Sequence, residues 1–253
     1  KYKNKTPTRT PITIKNLIIE NCHIKVLSGN AGALVSGHSG IGGASSERYV
    51  NIENCHSSGY IVGQNISTES STVIGIGGLI GSTISMNIKV TKCTSSVDIN
   101  IQSDSEISVG GLIGHLFYYG LVEYCSTSGN ITHVNNNGDY RNATGGILGR
   151  TGDTNHIRQI IKCKSNASVN GVDNVGGIVG KIDTYSSSLT NTTIYDCYTD
   201  GGEVKGRDNV GGIVGYNGGQ RVERTYSSAT VIAGRQYVGG IMGNGYGNSA
   251  VPH

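Results

Sequence analysis

Apolar residues in this chain fall in short β-branched segments bounded by Gly, Ser, Asn and Asp. That is the pattern of strands separated by turns. No window carries apolar residues at spacings of three and four over a helical length, and glycine and β-branched residues crowd out helix formers. The pattern therefore predicts an all-β chain of many short strands.

The segments recur. The pentapeptide Gly-Gly-apolar-apolar-Gly occurs six times, starting at Gly77, Gly110, Gly145, Gly176, Gly211 and Gly239, with gaps of 33, 35, 31, 35 and 28 residues. Its glycines are Gly77, Gly78 and Gly81; Gly110, Gly111 and Gly114; Gly145, Gly146 and Gly149; Gly176, Gly177 and Gly180; Gly211, Gly212 and Gly215; and Gly239, Gly240 and Gly243. A cysteine keeps step with them at Cys22, Cys55, Cys93, Cys125, Cys163 and Cys197. Three residues before each cysteine stands Ile19, Ile52, Val90, Val122, Ile160 or Ile194. A seventh copy puts Thr225 at the cysteine position, and the segment Asn30 to Gly37 reads as a degenerate first corner. Six residues past the cysteine position comes Ile61, Ile99, Ile131, Val169 or Val231; in the sixth copy this slips by one, to Val204.

A period of this length marks a repeat architecture. A unit with about three short strands cannot bury a core alone, so neighbouring units must stack. The expected fold is a β-solenoid (β-helix) of about seven coils with 28–38 residues per coil. Coils spaced roughly 4.8 Å apart would span about 34 Å. The handedness of parallel strand crossovers favours a right-handed coil. The paired glycines should serve a tight corner, through positive φ or through close backbone approach between coils.

The GGLIG and GGIVG cores, with the preceding Val and the cysteine-Ser phrase, resemble the GLUG repeat. The likeness runs from Ile12 to Gly243. That family occurs in tandem in bacterial surface adhesins and immunoglobulin-A-specific zinc metallopeptidases. The resemblance implies an extracellular, non-catalytic repeat module and carries over no binding residues. No HExxH motif accompanies it here, so no protease activity comes with it.

Composition narrows the functional classes. Residues 1–11 read as a polar linker, 12–243 as one elongated domain and 244–253 as a polar tail. The net charge of +3 is modest, and no basic run is interleaved with aromatics, which argues against a nucleic-acid partner. No apolar run approaches a membrane span. The chain opens on Lys1, which suggests a fragment or a processed product. Six cysteines would ordinarily suggest disulfides. Stacked in one column, their parallel Cβ vectors do not offer the required torsion, so six free buried thiols are expected.

Several residues invite a functional reading. Units longer than the minimum place extra residues at Gln64–Val73, Asp104–Ser108, Val134–Arg141 and Ile182–Thr190. Such insertions often build the binding face of a solenoid. Tyr118, Tyr119, Tyr140 and Tyr185 are the candidate ligand contacts. Asp173-Asn174 and Asp208-Asn209 precede consecutive glycine corners and could share a calcium ion, or cap turns. Glu20, Glu53, Glu123 and Glu223 share one position, but only Glu20 and Glu53 would be neighbours, a thin basis for acid–base chemistry. His23 and His56 follow cysteines, yet adjacent strand residues point to opposite faces, so a Cys/His metal site is not expected. No cofactor is called for. The sequons at Asn4, Asn65, Asn130, Asn142, Asn166 and Asn191 permit glycosylation without arguing for it.

The leading expectation is therefore a non-catalytic module at the cell surface or outside the cell, acting as rigid spacer or adhesive surface of a larger exported protein. Its partners would be other parts of that protein, a host or cell-surface protein or glycan, or copies of itself. The alternatives are a filament subunit joined through the solenoid ends, and a carbohydrate-binding or carbohydrate-active β-helix. The second is weakened by the absence of Trp and the single Phe.

Overall fold

The computed structural model describes residues 11–37, 49–67, 73–83, 87–135, 142–152, 156–183 and 192–246. Every strand pairing among them is parallel, and the strands line up in three sheets that run the length of the molecule. This is the β-solenoid that the repeat predicts.

The first sheet has seven strands, one per coil: Ile12–Lys15, Tyr49–Glu53, Asn87–Thr91, Gly120–Glu123, Arg158–Ile161, Thr192–Tyr195 and Arg221–Glu223. A corner then leads into the second sheet, which bends in the middle. Its two flanks are seen in Thr94–Ser103 and Ile107–Gly110 of the third coil, and fuse into single strands in Glu203–Gly211 and Thr230–Gly239. The glycine pentapeptide turns the chain from there into the third sheet, Ile80–Ser82 through Met242–Gly245. Period-matched residues fall in register. Gly77, Gly110, Gly145, Gly176, Gly211 and Gly239 pair in one row. The degenerate corner joins it, with Gly32 opposite Gly77 and Val35 bridged to Ile80. Val204 sits in the same row as Val169 and Val231; the extra residue of its unit is absorbed in the turn at Gly201 and Gly202, with φ of 72° and 79°.

Two apolar compartments fill the cross-section. One packs Ile52, Val90, Val122, Ile160 and Ile194 of the first sheet against the apolar pairs of the pentapeptides, such as Leu112 and Ile113. The other lies inside the bend of the second sheet and holds Ile61, Ile99, Ile131, Val169 and Val204 against Ile76, Val109, Val175 and Val210. A row of hydroxyls ties the two flanking walls together. Ser57, Ser95, Thr127, Ser165, Thr199 and Ser227 stand in register two residues past the cysteine position. Ser57 Oγ donates to the carbonyl of Gly78 (2.9 Å), Thr127 Oγ1 to Gly146 (2.8 Å) and Thr199 Oγ1 to Gly212 (3.3 Å). The Ser/Thr after the cysteine and the second glycine of the pair are thus one device, and their co-occurrence in each unit has a physical cause.

That device also explains why the second residue is glycine. A Cβ on Gly177 would run into the carbonyl oxygen of Gly212 in the next coil and the methyl of Thr199. None of the pentapeptide glycines has positive φ. Of the two reasons expected for them, close backbone approach is the one the structure uses.

Positive φ appears instead on non-glycine residues at the other corner. The residue before the cysteine position, Asn16, Asn54, Lys92, Tyr124, Lys162, Asp196 or Arg224, has φ between 49° and 58° in every coil. Such a left-handed residue lets the chain leave the first sheet in one step, a conformation uncommon outside glycine and asparagine.

Candidate functional site

The cysteine corner is the most regular chemical feature of the molecule. Cys55, Cys93, Cys125, Cys163 and Cys197 are buried and unpaired. Their thiols approach the carbonyls two residues upstream, on Glu53, Thr91, Glu123, Ile161 and Tyr195, at 3.3–3.4 Å. They also lie 3.4–3.9 Å from the carbonyls of Ile14, Ile52, Val90, Val122 and Ile160 one coil back. A thiol is a small apolar group with a weak S–H donor. It fits a buried corner where the left-handed residue turns a carbonyl inward. Buried and held between carbonyls of two coils, the thiols are structural rather than nucleophilic.

Cys22 does not belong to this column. Ile14, not Ile19, pairs with Ile52, and the amide of His56 bonds to the carbonyl of Leu17. Leu17 therefore holds the cysteine position of the first coil, as Thr225 does in the last. Cys22 lies farther along, in the strand Ile18–Val26, opposite Gly59 and just past a register shift, and is half-buried. The expected sixth buried thiol and the expected Glu20–Glu53 neighbours fail together, because the first IENC phrase forms a bulge and not the corner. His23 and His56 part for the same reason: His23 stacks on Tyr60 at 4.0 Å, while His56 Nδ1 meets Thr94 Oγ1 at 2.7 Å.

The Asp-Asn pairs serve the stack. Asp173 accepts from Arg207, at 3.0 Å to Nε, and Asp208 from Arg235, at 3.1 Å to Nε. Asn174 and Asn209, both left-handed with φ of 52°, form a ladder: Asn209 Nδ2 donates to Asn174 Oδ1 and Asn244 Nδ2 to Asn209 Oδ1, each at 2.9 Å. Asp173 and Asp208 are partners across neighbouring strands, but both carboxylates are taken up by guanidinium groups, Arg207 lying 3.8 Å from Asp208 as well, so the shared calcium reading does not fit. Among the described residues no group of three or more His, Cys, Asp or Glu is placed to hold a metal ion.

Among the described residues, two clusters away from the cysteine corner stand out. The first is aromatic. Tyr118 and Tyr119 occupy the bend between the third and fourth coils, both half-buried. His156 meets them edge to face at 4.7 and 4.5 Å between centroids, and Phe117 meets Tyr118 at 5.2 Å. Beneath them Arg158, only 1% exposed, donates to the carbonyls of Leu116 (3.2 Å), His156 (3.0 Å) and Phe117. A buried guanidinium that satisfies three carbonyls fixes the bend that carries the tyrosines. The sequence pattern could not supply Arg158 or His156. Tyr140 and Tyr185 lie outside the described residues.

The second cluster is ionic. Arg150 pairs with Glu106 and Asp183, and Lys181 reaches Asp183 at 3.1 Å. Burial would raise the Asp183 carboxyl, but Arg150 and Lys181 hold it below its ordinary range. Neighbouring His115 is buried, and burial first and Arg150 second push it down to about 3, so its imidazole is neutral. Of the glutamates that share the position two before the cysteine, Glu53 faces solvent and Glu223 pairs with Arg221 at 2.5 Å.

Comparison with known proteins agrees with this fold. A family model described as the GLUG motif matches residues 105–132, which run from the glycine corner of the third coil through Cys125 into the second sheet of the fourth. No curated protein matches the sequence. The fold is similar to the crystal structure of a candidate immunoglobulin A1 protease from Bacteroides ovatus, with a TM-score of 0.50 and 18% identity. The match covers 87% of this chain and 60% of that one, so the chain spans less than two thirds of its neighbour's length. The chain carries the GLUG motif within a tandem-repeat β-solenoid.

Proposed function

We propose that the chain is a non-catalytic repeat module of an exported protein, a stiff spacer that also offers its flank as an adhesive surface. The observation that carries this reading is where the polar side chains go. Hydroxyls, thiols, Asn amides and Asp–Arg pairs make coil-to-coil bonds along the axis, as in Thr127 Oγ1 to Ser165 Oγ. A molecule built this way resists bending. The neighbour's description as a candidate immunoglobulin A1 protease belongs to that protein; here it supports a setting outside the cell. If a host protein or glycan is held, the bend at Tyr118 and Tyr119 is the landing point, since its half-exposed rings are rigidly supported.

The test pairs two assays on the purified chain. Incubation with immunoglobulin A and with cell-surface polysaccharides should give no cleavage. Binding to host-cell glycoproteins should fall at least tenfold in Tyr118→Ala/Tyr119→Ala if the adhesive part is right. Turnover that persists through repurification would overturn the reading. Binding untouched by the double variant would move the adhesive surface elsewhere on the solenoid.

A further inference from the structure

We infer that the ridge formed by the outer side of the cysteine corner, from the third to the sixth coil, holds an acidic polysaccharide, a glycan that carries carboxylate or sulfate groups along its length. The ridge stands at the far end of the first-sheet strands from the Tyr118–Tyr119 bend, and the inference does not rest on that site. Every coil of the ridge has a described coil on each side, and described residues run unbroken through each of these corners.

The residues on either side of each buried cysteine face outward. Lys92, Tyr124 and Lys162 stand just before it, and Lys164 and Tyr198 just after it; all five are exposed, Tyr124 at 49% and Tyr198 at 37%. The first three stack coil on coil, because the amides of Lys92, Tyr124 and Lys162 each bond to a carbonyl at the end of the next first-sheet strand. Lys164 pairs in register with Tyr198. Coils about 4.8 Å apart place Lys92 roughly 10 Å along the axis from Lys162. An extended chain laid along the axis would therefore meet cations and tyrosines in turn.

The chemistry of the ridge selects the occupant. Its carboxylate Asp196 is taken up by Arg224 of the next coil, whose Nε donates at 2.6 Å, and Glu123 beside it is half-buried. Among the described residues Lys92, Lys162 and Lys164 form no ion pair. In a chain whose net charge is only +3, three unpaired cations on one ridge are a local excess that a ligand's anions would neutralise. Lys162 Nζ donates to the Tyr124 hydroxyl at 2.9 Å and lies 5.0 Å from the ring centroid, so an apolar ring and an ammonium are held within reach of one ligand group. A uronic or sulfated sugar offers both partners, C–H faces for the ring and an anion for the ammonium. Exposed Ser96, Ser128 and Asn166 continue the ridge with groups that suit sugar hydroxyls. A nucleic acid is the poorer match. Lys162 and Arg224 already lie over the Tyr124 and Tyr195 rings on which bases would stack, and Glu123 and Asp196 interrupt the cations that a phosphate backbone needs.

The experiment measures binding of the full chain to immobilised heparin, polygalacturonate, dextran and a single-stranded oligodeoxynucleotide, at low and at physiological salt. The expected result is binding to heparin, to polygalacturonate or to both, weakened by salt, with none to dextran. Heparin alone marks sulfate as the group held, and polygalacturonate alone marks carboxylate. Lys162→Glu/Lys164→Glu reverses two exposed charge contacts and should weaken binding about tenfold or more. Lys162→Arg/Lys164→Arg should keep it. Lys25→Glu/Lys205→Glu, at exposed positions away from the ridge, changes the net charge equally and should leave binding within about twofold. All these side chains are exposed, and unchanged circular dichroism would show that the variants fold. Binding to neither acidic glycan overturns the inference. So does an equal loss in both pairs of reversals, since net charge alone would then account for it. Binding of the oligodeoxynucleotide as tight as that of the better glycan overturns it as well.

Discussion

The interior coils and the two terminal coils obey the same pattern with different strictness. In the second through sixth coils the corner residue is cysteine and is at most 1% exposed. In the first coil it is Leu17, which is 44% exposed, and in the last it is Thr225, which is half-buried. The pentapeptide shows the same gradient. Interior second glycines press against the next backbone, Ala33 replaces the glycine in the first coil, and Gly240 faces open space. The repeat is thus no property of one unit. The second glycines answer to the coil that follows, which among the described residues Gly240 lacks, and the cysteines to the carbonyl of the coil before, which Leu17 lacks; Ala33 and Thr225 have those neighbours and show a looser fit of the pattern in the outer coils. This is what nearest-neighbour stabilisation of a solenoid predicts.

The largest effect should come from pressing on that difference at the glycine row. Gly177→Val forces a branched side chain into the Gly212 carbonyl and the Thr199 methyl. Both are held by the hydroxyl bond between Thr199 and Gly212, so neither can withdraw cheaply. A loss of about 3 kcal/mol or more is expected, in the range reserved for severe overpacking. Gly240→Val, the same change at the open end, should cost less than about 0.5 kcal/mol. Urea melts of the two variants decide the matter. Equal losses would mean that the glycines answer to their own corner and not to the next coil.

The middle of the solenoid should also be more sensitive to acid than its ends. His133 of the fourth coil is buried between Ser103 Oγ (3.0 Å) and Thr144 Oγ1 (3.3 Å), and burial pushes it down to about 4. His115 of the third coil is pushed down to about 3. Unfolded, both would titrate near 6.5. The unfolded chain therefore binds more protons than the native one between those values, and stability falls as the pH drops below about 6.5. It should lose several kcal/mol in all by about pH 4. Urea melts near neutrality and near pH 4.5 measure the loss. His133→Gln, which keeps both hydroxyl contacts within reach of a side-chain amide, should shrink the pH dependence. An unchanged pH profile would place the acid sensitivity outside these two residues.

The strands, the solenoid, the glycine row and five of the six cysteines of the column were legible because each recurs, and recurrence averages out local ambiguity. The hydroxyl row was visible only as a polar stretch. Its meaning depends on a bond to a glycine about twenty residues away, for example Ser57 to Gly78 at a separation of 21 residues. The outer clusters were less legible still. Tyr118 and Tyr119 stood out by type, but Arg158, His156 and the Glu106–Arg150–Asp183 network occur once each, with no period to announce them.

The first coil shows how recurrence misleads, and it supplies the smallest expected effect. Asn16-Leu17 and Asn21-Cys22 are both an asparagine followed by an apolar residue, and both asparagines adopt left-handed φ, 58° and 52°. The second copies the phrase of the true corner at Asn54-Cys55 letter for letter. The chain nevertheless turns at the first. Turning there lets Ile14 complete the apolar column over Ile52 and lets Asn54 Nδ2 bond to Asn16 Oδ1 at 2.9 Å. Asn21-Cys22 is left to a bulge, tolerated because Gly59 opposite has no Cβ to strike the Cys22 backbone. Cys22→Ser should then change stability by less than about 0.5 kcal/mol, as for an ordinary surface position. The same substitution should remove the one thiol that reacts quickly with Ellman's reagent in the native protein. Partial burial holds that thiol above its ordinary range, so its reaction should be slower than a free cysteine's but far faster than the column's, whose thiols wait for unfolding. A native protein with no fast thiol, or a Cys22→Ser variant as unstable as Cys125→Ser, would put Cys22 back in the column and move the first corner five residues along the chain.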